Sequence, residues 1–238
     1  MFIWESSGDQ AVVDPSQALP GRSEPILADP MPHAVLGTPI LGEPGDGQEV
    51  IYLASGYFWG AEKAAWELGA DATAVGYMGG STPNPTYEEV GTGQTGHAET
   101  VRVLYSPAVL PTERLLQAFF ESHDPTSLNR QGGDVGTQYR SAVFPTTAAQ
   151  ESLAREMIKT YQKVLTEGGY GDIVTEIVPA PAAGAFYPAE DYHQQYLAKN
   201  PGGYQCHART GMACPLPQSG PLRPGPADDS PSRGRDDA

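Results

Sequence analysis

Proline crowds both ends of this 238-residue sequence and confines any compact fold to what lies between. Pro15, Pro20, Pro25, Pro30, Pro32, Pro39 and Pro44 recur too often for a helix or paired strand, because each fixes φ and withholds a backbone donor. Residues 1 to about 46 are therefore expected to run as an extended arm over the surface of a core. Residues 216–238, "LPQSGPLRPGPADDSPSRGRDDA", hold proline, glycine and charge with almost nothing to bury, and are expected to be a disordered tail. The working unit is 47–215, a length suited to one domain with one core.

Within that unit apolar periodicity predicts a strand in "EVIYLAS", a helix in "FWGAEKAAWELGA", and strands in "ATAVGYM" and "HAETVRVLY". A helix in "TERLLQAFFESH", a strand in "YRSAVF", a helix from Thr146 to about Leu165 and a strand in "DIVTEIV" follow. The last helix is expected in "AEDYHQQYLAKN", ending at Pro201. The order β-α-β-β-α-β, with an extra helix and strand, predicts an α+β, ferredoxin-like split βαβ sandwich of helices on a mostly antiparallel sheet. That architecture by itself names no function.

The chain carries 29 acids against 14 bases, a formal charge of -15, which argues against a nucleic-acid or anionic-membrane partner. No run approaches the roughly 20 apolar residues of a membrane span, and "MFIWESSGDQ" lacks a basic n-region and an apolar h-region, so the expectation is a soluble, cytoplasmic protein. The two cysteines, Cys206 and Cys214, lie close together and are unlike a disulfide framework. With His207 as the one extra ligand nearby, they fall short of the four that a structural zinc needs, and no nucleotide, flavin or metal motif is evident. No cofactor is expected.

Strand alternation puts Glu99 on the same face as Val101, Val103 and Tyr105. A carboxyl group among such neighbours has a raised pKa unless paired, which suits proton donation at neutral pH; the alternative is a structural carboxylate paired with an arginine. The loop "HDPTSLNRQGGDVGTQYRSA" is long, irregular and polar, with Asp134 and Tyr139 in it, and Tyr77 ends a strand before Gly79 and Gly80. Phe58 and Trp59 fall in the first turn of the first helix, beside unpaired N–H groups, where their rings can wall a small apolar pocket. Tyr57 stands at the position where a helix N-terminus would activate a thiolate.

Together "GYFWGAE", "VGYMGGSTPNPTYEEV", "TGHAETVRV", "HDPT", "RQGGDVGTQYRSAV", "YGDIVTEI" and "AEDYHQQYLAKNPGGY" resemble the A-type peptide methionine sulfoxide reductases over roughly residues 33 to 215. The resemblance implies that a cysteine after the first glycine attacks a sulfoxide sulfur, that C-terminal cysteines resolve the sulfenic acid and that thioredoxin recycles the enzyme. It also implies that Phe58 and Trp59 hold the substrate methyl group and that Glu99 protonates the oxygen. Tyr77 and Tyr139 would hydrogen-bond that oxygen, with Asp134 anchoring the loop and His193 and Tyr196 beside the pocket.

Two positions depart from that pattern. Tyr57 occupies the nucleophile's place, and Gln205 the place of the first resolving cysteine, with Cys206 one residue later. A phenol cannot become the Cys–SOH intermediate. The leading expectation is therefore a repurposed non-redox acid–base enzyme acting on a small metabolite by cyclisation, elimination or dehydration through Tyr57, Glu99, Asp134, Tyr77 and Tyr139, with Tyr57 as donor, base or oxyanion stabiliser. One alternative is a reductase working through a relocated Cys206 resolved by Cys214, with thioredoxin a partner only in that case. Another is a pseudoenzyme that binds a methionine-sulfoxide-like ligand without turnover.

Overall fold

The computed structural model describes residues 11–204 and 208–217. The expected tail at 216–238 lies almost wholly outside them, as does Cys206. A six-stranded sheet forms the centre, built from β1 (Glu49–Ser55), β2 (Ala72–Met78), β3 (Ala98–Tyr105), β6 (Ser141–Pro145), β7 (Glu176–Ile177) and β8 (Tyr187–Pro188) in the order β7-β6-β1-β3-β2-β8. A separate two-stranded ribbon, β4 (Arg130–Gln131) with β5 (Asp134–Val135), shapes the long polar loop.

β3 pairs antiparallel with both β1 and β2, so those two strands are parallel to one another with β3 between them. β6 pairs antiparallel with the other edge of β1. The helix α1 (Phe58–Glu67) makes the crossover from β1 to β2, and α3 (Thr112–Ser122) leads from β3 towards β6. This is the split βαβ plan of an α+β domain. A long helix, α4 (Ala148–Glu167), starts at Thr147, whose hydroxyl accepts from the Gln150 amide in a reciprocal capping box.

One core lies between the helices and the sheet. Leu115, Leu116, Phe119 and Phe120 of α3 and Ala154, Met157, Tyr161 and Leu165 of α4 pack on Ile51, Leu53, Val101, Val103 and Val143. Burial of each large apolar side chain stabilises the fold by about 1.5–3 kcal/mol. The opposite face carries Ala54, Met78, Ala98, Ala142 and Phe144, covered by Ala180 and its neighbours in α5 (Ala180–Ala183).

Residues 11–48 contain one 3-10 turn and otherwise irregular chain. They dock through specific groups. Arg22 forks onto Glu89 at 2.7 and 2.9 Å, and the Arg102 guanidinium donates to the Ile40 and Gly42 carbonyls. His33 Nε2 meets Thr73 Oγ1 at 2.8 Å, while the Val35 and Leu36 amides donate to its Nδ1. Nδ1 is thus the acceptor and Nε2 carries the proton.

Two expected elements are shorter than periodicity implied. "DIVTEIV" contributes only β7, because upstream of it the Ile173 amide donates to Gln162 Oε1 and the Val174 amide to the Pro125 carbonyl instead of to a ladder. "AEDYHQQYLAKN" is a series of turns ending in the one-turn α6 (Tyr196–Lys199). The helix is interrupted at Gln195, whose φ of 48° is left-handed. Tertiary hydrogen bonds offset that conformation: the Gln195 amide and side chain donate to Glu62 at 2.9 and 2.7 Å, and Gln194 pairs through its side chain with both backbone groups of Val75.

Candidate active site

The turn between β1 and α1 organises the site. Gly56 has φ 82°, and a Cβ there would lie 2.1 Å from Gln131 Cγ and 2.7 Å from the Tyr139 carbonyl oxygen. Only glycine lets the polar loop approach this closely. Tyr57 follows as the N-cap in extended conformation with no side-chain capping bond, and Phe58 opens the helix. The Tyr57 ring lies over Gly60, where a Cβ would be 2.9 Å from Tyr57 Cε1.

A cavity of about 230 Å³ opens at this helix start. Tyr57, Phe58 and Trp59 line it from α1, Glu99 from β3, Tyr87 from the start of α2 (Tyr87–Gly91), Asp134 and Tyr139 from the loop, and Tyr204 from the C-terminal segment. The Phe58 amide donates to Glu99 Oε2 at 3.3 Å. Burial pushes the Glu99 carboxyl up to about 8; the Phe58 hydrogen bond opposes that shift, and the nearby Asp134 carboxylate adds to it. Glu99 therefore holds its proton at neutral pH and can give it to a ligand oxygen. No arginine pairs with it among the described residues, so the structural alternative for this carboxyl fails.

Trp59 is fixed from behind. Its indole N–H donates to His193 Nδ1 at 3.1 Å, and its ring stacks on Tyr196 at 3.9 Å between centroids with an 18° interplanar angle. His193 is 1% exposed and held neutral, at about 4, by burial. The expected place of His193 and Tyr196 at the ligand is thus corrected: neither lines the cavity, and both orient the indole that does. The reason is the broken helix before α6, which turns residues 190–196 back under Trp59.

Tyr77 also departs from its expected place. It is fully buried, and its hydroxyl donates to Glu190 Oε2 at 3.0 Å instead of facing the cavity. Burial and the facing carboxylates raise its pKa far above the ordinary phenol range. Tyr87, farther along the same motif "VGYMGGSTPNPTYEEV", lines the cavity instead, half-buried and pushed up to about 12. Sequence reasoning passed over it because the capping box at Thr86 makes the following residue look like ordinary helix start. Its ring packs against His193 at 4.5 Å.

Tyr57 is engaged as a donor. Its hydroxyl donates to the Tyr204 backbone carbonyl, which can only accept, so the phenol is protonated in this contact. The Tyr204 hydroxyl in turn donates to Asp134 Oδ2 at 3.1 Å. Cys214 is fully buried, with its amide donating to Glu121 Oε1 at 2.7 Å and its thiol pushed up to about 12 by burial. Among the described residues no group of three or more His, Cys, Asp or Glu could hold a metal ion, and no helix is long and apolar enough to cross a membrane.

The family model for peptide methionine sulfoxide reductase matches residues 49–215. The chain belongs to that family. It is 53% identical over 207 residues to the peptide methionine sulfoxide reductase MsrA of Corynebacterium kroppenstedtii, covering 86% of this chain and 94% of the relative. The MsrA of Agrobacterium fabrum is 52% identical over 217 residues, covering 90% and 99%. The structure of methionine sulfoxide reductase A of Corynebacterium diphtheriae superposes with a TM-score of 0.78 at 46% identity, covering 88% of this chain and all of that one. These relatives overturn the leading expectation of a repurposed non-redox acid–base enzyme: chains half identical over most of this length are named as reductases. The error lay in letting one position, Tyr57, outweigh the agreement of the whole chain.

Proposed function

We propose that this protein reduces the methyl sulfoxide of oxidised methionine, with Cys206 as the attacking thiol and Glu99 as the proton donor. The observation that carries the reading is the place of Tyr204, held in the cavity beside Tyr57 and Asp134. Two residues, about 7 Å at full extension, separate Cys206 from it. A thiol within that reach can take over the attack that Tyr57 is chemically unable to make.

The cavity suits the substrate group. Phe58 and Trp59 offer the methyl group an apolar wall, while Glu99, Tyr87 and Tyr139 surround the place for the oxygen. The Cys206 thiolate attacks sulfur as Glu99 protonates the oxygen, and the oxygen passes to the cysteine. Methionine leaves as the thioether, two electrons reduced, and Cys206 is oxidised to the sulfenic acid. A dithiol of the thioredoxin type then converts Cys–SOH to the thiol, forming its own disulfide and releasing water. Cys214, buried and protonated, enters that exchange only after the C-terminal segment rearranges.

A second reading, recognition of methyl sulfoxides without turnover, is favoured by one observation: none of the described cavity-lining residues is a thiol. Reduction of methionine-S-sulfoxide with excess dithiol separates the two. The reductase reading expects turnover that is lost in Cys206→Ser and retained in Tyr57→Phe. Binding of a sulfoxide with no turnover in the unaltered chain moves the second reading ahead.

A further inference from the structure

Tyr57 is joined to a set of tethers that the reaction scheme does not use. Its hydroxyl donates to the Tyr204 carbonyl, and its ring meets the Tyr204 ring edge-to-face at 5.4 Å and 84°. The same ring meets Trp59 edge-to-face at 5.6 Å and 81°. With Gly60 beneath it, the phenol is packed on three sides, so its hydroxyl is held at a fixed height above the helix start. Tyr204 is tied a second time, through its own hydroxyl to Asp134 Oδ2 at 3.1 Å.

Farther along, the C-terminal segment is pinned again. Tyr161 shares a hydrogen bond with Thr210 Oγ1 at 2.8 Å and donates to the Met212 carbonyl at 2.9 Å, and Tyr170 donates to the Thr210 carbonyl at 2.9 Å. Residues 205–209 therefore run between one clamp at the cavity and another on α4, and Cys206 is among them. Holding both ends of a short span limits where its middle can go, because closure leaves few conformations to a chain of this length.

We propose that Tyr57 is a positioning residue, whose phenol clamps the C-terminal segment at the Tyr204 carbonyl and so keeps the thiol-bearing span over the cavity. A cysteine at position 57 is too short to make this contact, so the phenol does for the tail what a thiol there does not. The consequence for catalysis rests on the reductase reading, whereas the clamp itself does not. One net hydrogen bond corresponds to about a 2- to 10-fold change in the clamped population.

The test uses the full chain and Tyr57→Phe, which removes only the hydroxyl. Hydrogen exchange of a peptide covering 200–204 is expected to speed up by about 2- to 10-fold, with 208–217 unchanged because Tyr161 and Tyr170 still hold it. In steady-state reduction of N-acetylmethionine sulfoxide with a dithiol, kcat is expected to fall by a similar factor with KM unchanged. A role in holding the substrate would instead raise KM, and would overturn the proposal. Unchanged exchange at 200–204 overturns it too, as does a kcat that rises. Tyr204→Phe, which cuts the Asp134 tether and leaves the carbonyl, is expected to show its own increase at 200–204. If the unaltered chain does not reduce the sulfoxide, the reductase reading falls and the exchange data alone decide the clamp.

Discussion

The Phe58 amide donates to Glu99 Oε2 at 3.3 Å, so the first turn of α1 and the buried start of β3 meet on one carboxyl group. The helix end brings a partial positive charge that lowers the pKa, and burial opposes it and wins, leaving the group at about 8.

Glu99→Gln keeps the shape and removes the transferable proton. It is expected to lower kcat/KM for methyl sulfoxide reduction by about 10²- to 10⁴-fold. In the unaltered protein the rate should fall as pH rises through about 8, where Glu99 loses its proton, and this limb should vanish in the variant. Steady-state kinetics from pH 6 to 9 check both. A limb that persists in Glu99→Gln assigns it to another group.

Stability should peak close to pH 6.5. Burial holds His33, His97, His123 and His193 at about 4, down from 6.5, so between those values the unfolded chain binds more protons and stability rises with pH. Glu62 and Glu99 are pushed from 4.5 to about 7 and 8, so across those ranges the folded chain binds more protons and stability falls with pH. Below pH 6.5 the four histidines outweigh the two acids, and above it the acids act alone. Calorimetry should show Tm declining from pH 6.5 to 8; a rising Tm over that window contradicts the assignment.

Tyr77 and Tyr87 should respond differently to loss of a hydroxyl. Tyr77→Phe leaves the Glu190 carboxylate short of one donor and is expected to cost about 1–3 kcal/mol in stability, read by urea denaturation. Tyr87→Phe removes a group that faces the cavity, and its effect is expected on kcat/KM with stability changed by less than about 1 kcal/mol. The reverse pattern would return Tyr77 to the ligand.

Gly56→Ala is expected to be severe. The added Cβ meets Gln131 and Tyr139 of the loop at a residue whose φ is 82°. Strain and displacement together should cost about 2 kcal/mol or more, seen as a lower Tm and as loss of sulfoxide binding, because the loop carries Asp134 and Tyr139.

Much of this was legible in the linear sequence. β1, α1, β2 and α3 fall where apolar periodicity places them, since period 2 and period 3.6 are local properties that a single buried face enforces. The raised Glu99 was legible as well, because strand alternation assigns its face before any partner is known. The ordered motifs carried the family, and the error of the leading functional expectation came from reading position 57 in isolation.

Other features depended on groups distant in the chain. α6 is one turn long because Glu62, 133 residues before Gln195, offers its buried carboxyl to that residue's backbone and side chain. Tyr77 and Tyr87 sit in one motif, and only the Glu190 carboxylate, 113 and 103 residues away, decides which hydroxyl is left for the cavity. Tyr57 meets Tyr204 across 147 residues. The sequence by itself determined the elements, the faces of its strands and the family; the tertiary structure decided which polar groups are consumed in holding the wall and which remain for a ligand. The physical reason is that burial makes each polar group find a partner, and that partner is chosen by space, not by order along the chain.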